Sequence, residues 1–116
     1  LARYHLIAEC REKMIGVWIK NEKIAAIGIR VSRRVSSHGF ALNISTDLSY
    51  FQMIIPCGLT GMGVTSMEKK LEQKISFEKV TRDYIEVFAE VFQRNTILDS
   101  SKDYHQYFEN TETNRP

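Results

Sequence analysis

Residues 15–31, IGVWIKNEKIAAIGIRV, constrain the fold of this chain more than any other stretch. Two runs rich in β-branched and aromatic residues flank one short polar break. Ile15 to Lys20 reads as a strand, Asn21-Glu22 as a two-residue turn, and Lys23 to Val31 as the returning strand of a hairpin. Gly28 inside the second run predicts a bulge or a close backbone approach by a ligand. Val31 to Ser37 keeps strand-like residues with poor alternation. HGFALNI, His38 to Ile44, reads as a further strand.

Helices are expected on either side of this sheet. Leu1 to Lys13 has weak helical spacing and reads as the end of a helix. Ser45, Thr46 and Asp47 are good caps, so a short helix is expected from Leu48, stopped by Pro56. Gly58, Gly61 and Gly63 make the next segment a loop. TSMEKKLEQK predicts one or two helical turns capped by Thr65 or Ser66. Ser76 to Asn95 is the clearest helix. Ser76 caps it, Glu78 suits the helix dipole, and Val80, Tyr84, Val87, Phe88 and Val91 form one apolar stripe for packing. Residues 1–95 thus carry both strands and helices. Residues 96–116 form a polar tail, read as disordered.

With 116 residues the chain is at most one domain. Its formal charge of +2, with no dense basic run, argues against nucleic acid. No apolar run approaches the roughly 20 residues of a membrane-spanning helix. Two cysteines, Cys10 and Cys57, make no disulfide framework, and a reducing compartment is expected. No pair of histidines or acids has metal-ligand spacing, so no metal and no cofactor are expected. The first residue is Leu1, so a processed or incomplete sequence is expected.

The chemistry-bearing candidates each have an ordinary reading. Cys57 lies in MIIPCGLTGMGVTS, between Pro56 and Gly58. Most free cysteines are small apolar residues packed beneath a turn. Pro56 fixes its own φ and Gly58 lets the chain turn away, so this corner can also present a thiol to a cleft. Near a cation, that thiol becomes a nucleophilic thiolate. Lys23 is the candidate cation. Such a lysine is usually an exposed one beside a turn, but it heads an apolar strand along which its stem can lie. His38 is either a strand-end histidine or the partner of a Cys–His pair. Arg30, Arg33 and Arg34 with Lys20 form a small basic patch, read either as a solvated face or as a docking face for an acidic carrier. GLTGMG lacks the ending of a phosphate-binding loop.

Three blocks, GVWIKNEKIAAIGIRVSRRVSSHGFALNIS, DLSYFQMIIPCGL and GVTSM, resemble the C-terminal part of the lipoyl(octanoyl) transferases, also called lipoate-protein ligase B. The resemblance runs from Gly16 to Met67. Its Ser-Ser-His-Gly and Ser-Thr-Asp-Leu wording is closest to mitochondrial members, which implies a mitochondrial location. It implies the α+β catalytic domain shared with biotin and lipoate ligases, a mixed sheet flanked by helices, of which residues 1–95 are the C-terminal part. It further implies transfer of an octanoyl group from octanoyl-acyl carrier protein. The acceptor is a lysine on lipoyl domains of 2-oxoacid dehydrogenase complexes or the glycine cleavage H protein. The Pro-Cys-Gly motif implies that Cys57 is the nucleophile. The Lys-Ile-x-x-Ile-Gly motif implies that Lys23 lowers its pKa. Ala26, Ile27 and Gly28, with Gly39, Phe40 and Ala41, match the segments that bind the acyl group.

The family's upstream Arg-Gly-Gly and His-Gly-Pro-Gly segments have no counterpart in these residues. The resemblance therefore implies that residues 1–116 alone would be unstable and inactive. The rival readings are an inactive member that only binds lipoyl domains, and an ATP-dependent lipoate or biotin ligase relative.

Overall fold

The computed structural model describes residues 1–53 and 62–96. The chain divides into two compact units, Leu1–Val80 and Thr81–Pro116. The first is built on a five-stranded sheet. Its strands are β1 (Glu9–Arg11), β2 (Met14–Ile19), β3 (Glu22–Ser32), β4 (Val35–Leu42) and β5 (Gly63–Val64). The order is β1-β2-β3-β4, all antiparallel, with β5 running parallel to the start of β3. Two helices follow, α1 (Met67–Leu71) and α2 (Phe77–Phe92). This is the expected α+β class with a mixed sheet.

The β2–β3 hairpin forms where β-branched residues flank the polar break, but its turn is Lys20-Asn21, with Lys20 at φ 50°. Glu22 already belongs to β3, one residue earlier than expected. The β3–β4 hairpin turns on Arg33-Arg34, both at positive φ (51° and 65°). That is the left-handed geometry a two-residue hairpin demands, and it normally selects Asn and Gly. The turn was illegible in the sequence for that reason. The N-terminal segment also departs from expectation. Ala2–Tyr4 is a single 3₁₀ turn, and Glu9–Arg11 is an edge strand, joined to β2 through Lys13 at φ 64°. Polar residues without alternation gave no strand signal there.

Gly28 does not mark a bulge. It pairs in register with Gly39 across β3 and β4. The irregularity lies lower, between Val17 and Trp18. Val17 pairs with Ala25 but Trp18 pairs with Lys23, so β3 accommodates one extra residue, Ile24. A register step of this kind turns side chains to new directions.

Leu6, Ile19, Ile24, Ile44, Met67 and Val80 form the core, with Leu1, Tyr4, Val17, Leu42 and Leu71 packed against it. Burying Ile24 and Met67 in full stabilises by about 1.5–3 kcal/mol each. Asn43 ties the layers together. Its N–H donates to the Ile24 carbonyl (3.0 Å), its carbonyl accepts from the Met67 N–H (2.9 Å), and its side-chain amide donates to the Thr65 carbonyl (3.1 Å).

The segment after Asp47 is a 3₁₀ helix, Leu48–Met53, opened by the Ser49 N–H donating to the Asp47 carboxylate at 3.0 Å. The stop expected at Pro56 lies outside the described residues. Ser66 caps α1 by accepting from the Lys69 N–H (3.2 Å). Ser76 caps α2 by accepting from the Lys79 N–H (3.2 Å), and its hydroxyl donates to Glu78 (2.7 Å). Of the apolar stripe on α2, Val80 is buried, whereas Tyr84, Phe88, Val91 and Phe92 are exposed. Tyr84, Phe88 and Phe92 stack on one another at i,i+4 spacing, with centroids 5.9 and 4.6 Å apart. The tail expected from residue 96 lies outside the described residues beyond Thr96.

Candidate active site

The β3–β4 ladder brings together the two segments singled out for acyl binding. Ala26 pairs with Ala41, Ile27 with Phe40, and Gly28 with Gly39. Residues paired across an antiparallel ladder share a face, and successive pairs alternate faces. Ala26, Gly28, Gly39 and Ala41 therefore make one smooth patch of small residues. Ile27 and Phe40 lie on the opposite face, next to Ile29. A Cβ built at Gly28 or Gly39 would meet no atom of the described residues within 4 Å. The small-residue patch thus lies open, and an apolar chain could reach the backbone there.

Lys23 sits three residues below this patch on the same strand, half-buried. Its backbone is held between β2 and β5, paired with Trp18 on one side and Val64 on the other. Its carbonyl accepts from the Thr65 N–H at 2.9 Å. Its ammonium lies over the Trp18 ring, 5.0 Å from the centroid. Trp18 and Gly16 line this position, although their spacing in the sequence singled out neither. The sole tryptophan of the chain, two residues after a glycine in a strand, is the signal that was available.

Next to Lys23, Glu22 binds two lysines of α1. Its carboxylate accepts from Lys69 Nζ at 2.9 Å and is also bonded to Lys70 Nζ. These bonds, the Lys70 one foremost, hold the Glu22 pKa below its usual value. Thr65, fully buried beside this strand, has a hydroxyl without a hydrogen-bond partner among the described residues.

Cys57, with Pro56 and Gly58, lies outside the described residues. His38 is exposed on β4 at φ 73°, paired with Ile29. The basic patch is split. Arg30, Arg33 and Arg34 occupy the outer end of the β3–β4 hairpin, whereas Lys20 lies in the turn at the other end of β3. The full length of β3, eleven residues or about 35 Å of extended chain, separates Lys20 from Arg33 and Arg34, and Arg30 lies near the far end of that strand. An apolar groove of about 700 Å³ is lined by the N-terminal turn and Val17, and none of the candidate residues contributes to it. Among its described lining residues, His5 has the one titratable side chain. Among the described residues no cluster of His, Cys, Asp and Glu could hold a metal, and no helix is long and apolar enough to cross a membrane.

The first unit is thus an α+β arrangement with an open small-residue ladder beside a half-buried lysine. Residues 1–89 match the family model described as the lipoyl protein ligase A/B catalytic domain. The chain belongs to this family.

Several relatives match over most of this chain. A human protein, named as the mitochondrial octanoyl-acyl-carrier-protein:protein N-octanoyltransferase LIPT2, is 45% identical over 86 residues, covering 74% of this chain and 37% of its own length. The octanoyltransferase of Caldanaerobacter subterraneus is 46% identical over 111 residues, covering 88% and 48%. That of Solibacter usitatus is 51% identical over 92 residues, covering 79% and 41%. The chain thus spans less than half the length of these relatives. Bacterial and mitochondrial relatives match at similar identity, so identity does not assign a compartment.

Proposed function

We propose that this chain carries part of the active site of an octanoyltransferase acting in protein lipoylation, with Cys57 as acyl carrier and Lys23 as its cationic partner. The observation that carries the reading is the pairing of Ala26, Ile27 and Gly28 with Ala41, Phe40 and Gly39. The two arms of one hairpin form a single acyl-accepting ladder above Lys23.

The reaction runs in two steps. The Cys57 thiolate attacks the carbonyl carbon of octanoyl-acyl carrier protein. The carbon–sulfur bond to the carrier breaks, and the departing carrier thiolate takes a proton from the Lys23 ammonium. The neutral amine of a lysine on a lipoyl domain then attacks the Cys57 thioester. An amide forms, the Cys57 thiolate leaves, and Lys23 recovers its proton from the attacking nitrogen. A thioester is already activated, so no nucleotide is consumed. Ala26, Gly28, Gly39 and Ala41 leave room for the octanoyl chain against the backbone. The human relative, named as acting from acyl-carrier-protein, supports the donor class.

Intact-mass measurement on the full natural chain tests this. Incubation with octanoyl-acyl carrier protein should add one octanoyl group to Cys57 without ATP. Cys57→Ser should abolish the adduct, and Lys23→Ala should slow its formation by about 10²–10⁴-fold. An adduct that requires ATP would favour the ligase branch of the family. No adduct under either condition would leave a binding-only member.

A further inference from the structure

We propose that Trp18 is a positioning residue for this chemistry: its indole, with the space left by Gly16, seats the Lys23 side chain in one place on the sheet. The proposal rests on the assignment of Lys23 to the reaction. Four features of the structure carry it.

The first is the register. A regular ladder continuing from Val17 and Ala25 would set Ile24 opposite Trp18, and Lys23 opposite Ile19. The extra residue in β3 sets Lys23 opposite Trp18 instead. Ile24, displaced from that pairing, is fully buried in the core. Irregularities of this kind recur next to active sites, where they re-aim a side chain.

The second is the contact itself. The Lys23 ammonium lies 5.0 Å from the Trp18 centroid, within the range at which an indole attracts a cation. The third is that the indole is fixed. Trp18 is 1% exposed, and its Nε1–H donates to the Met14 carbonyl at 3.1 Å. The fourth is the room for the stem. A Cβ at Gly16 would fall 3.1 Å from Lys23 Cε and 3.4 Å from Cδ. The lysine stem thus passes over a position that carries no side chain.

The neighbouring charges explain why an aromatic ring serves here. Arg11 also lies near the ring, at 5.5 Å, but it is paired with Glu9 and bonded to the Lys20 carbonyl. The adjacent Glu22 is engaged by Lys69 and Lys70. Among the described residues no carboxylate is paired with Lys23. A carboxylate partner would cancel much of the field that the ammonium exerts on a thiol. A ring holds the cation in place and leaves its charge intact.

The test is a double-mutant cycle on the full natural chain, with octanoyl transfer as readout. Trp18→Leu should lower kcat by about 3- to 30-fold and leave KM for the acyl donor unchanged. Trp18→Phe, a weaker ring, should fall between. In a Lys23→Ala background, Trp18→Leu should have no further effect. Equal slowing in both backgrounds would overturn the proposal, because it would show that Trp18 acts other than through Lys23. NMR of the unsubstituted protein supplies an arm independent of folding and of activity. The Lys23 Hε resonances should lie upfield of those of lysines that have no ring beside them, Lys79 over Tyr4 being set aside, and show contacts to the indole. Their absence would overturn the seating. If Lys23→Ala leaves turnover intact, the catalytic assignment fails, and the Hε shift still decides whether the seat exists.

Discussion

Among the described glycines, Gly16 has the least freedom to change. Its φ is +137°, and a Cβ there would lie 2.7 Å from the Ala25 carbonyl oxygen as well as against the Lys23 stem. Backbone atoms cannot move aside as a side-chain end can. Gly16→Ala is expected to destabilise by about 2–3 kcal/mol, read as a lowered melting temperature. An unchanged melting temperature would show that β2 relaxes at this point. Thr65 presents the opposite case. Its hydroxyl is buried without a partner among the described residues, and burial of an unsatisfied hydroxyl is unfavourable. Thr65→Val keeps the shape and removes the polar atom, so a gain of up to about 1 kcal/mol is expected. A clear loss of stability would point to a polar partner for the hydroxyl in the folded protein.

At the scale of elements, the join between β3 and α1 depends on Glu22. Its bonds to Lys70 and Lys69 depress its folded-state pKa below the ordinary 4.5. A carboxylate with a lowered folded-state pKa stabilises fully above its unfolded value. That contribution disappears as pH falls through the folded-state value. Glu22→Gln should therefore cost about 0.5–1 kcal/mol near neutral pH and nothing in strong acid. Denaturation of both proteins at several pH values checks this, and a constant difference would refute the assignment.

The Arg33-Arg34 turn is a second element-scale case. Two left-handed arginines are strained where Asn and Gly would be relaxed. Replacing them together, as Arg33→Asn with Arg34→Gly, should stabilise by about 1–2 kcal/mol in thermal melts. An unchanged or lower melting temperature would count against the strain. The strands themselves were legible, because β-branched runs flank polar breaks. The Arg-Arg turn and β1 were not, because neither has the residue types that normally mark such elements.

Across the whole molecule, each unit leaves apolar surface in water. In Leu1–Val80 the β3–β4 hairpin exposes Ile29 (66%), Val31 (70%) and Val35 (66%). In the described part of the other unit, Tyr84, Phe88, Val91 and Phe92 are exposed along α2. Exposed apolar strands with open edges favour association between copies. Residues 1–116 are expected to self-associate as concentration rises, measured by sedimentation or light scattering. Ile29→Thr with Val31→Thr should reduce that association. A monodisperse monomer across the concentration range would show that these residues are better protected in solution than their exposure implies.

What the sequence determined alone is the set of local preferences. These include the β2, β3 and β4 runs, the Ser66 and Ser76 caps, and the motif residues Lys23, Ala26, Gly28, Gly39 and Cys57. Residue type and spacing carry the strands and caps, whereas the motif residues are singled out by the resemblance to a known family. Tertiary structure decided how those preferences meet. It set Ala26, Ile27 and Gly28 against Ala41, Phe40 and Gly39. It moved Lys20 away from the arginines and brought Lys23 to Trp18 by one extra residue in β3. Register explains the difference. One residue of slip reverses which side chains face each other, and burial of Ile24 in the core selects the slip that occurs.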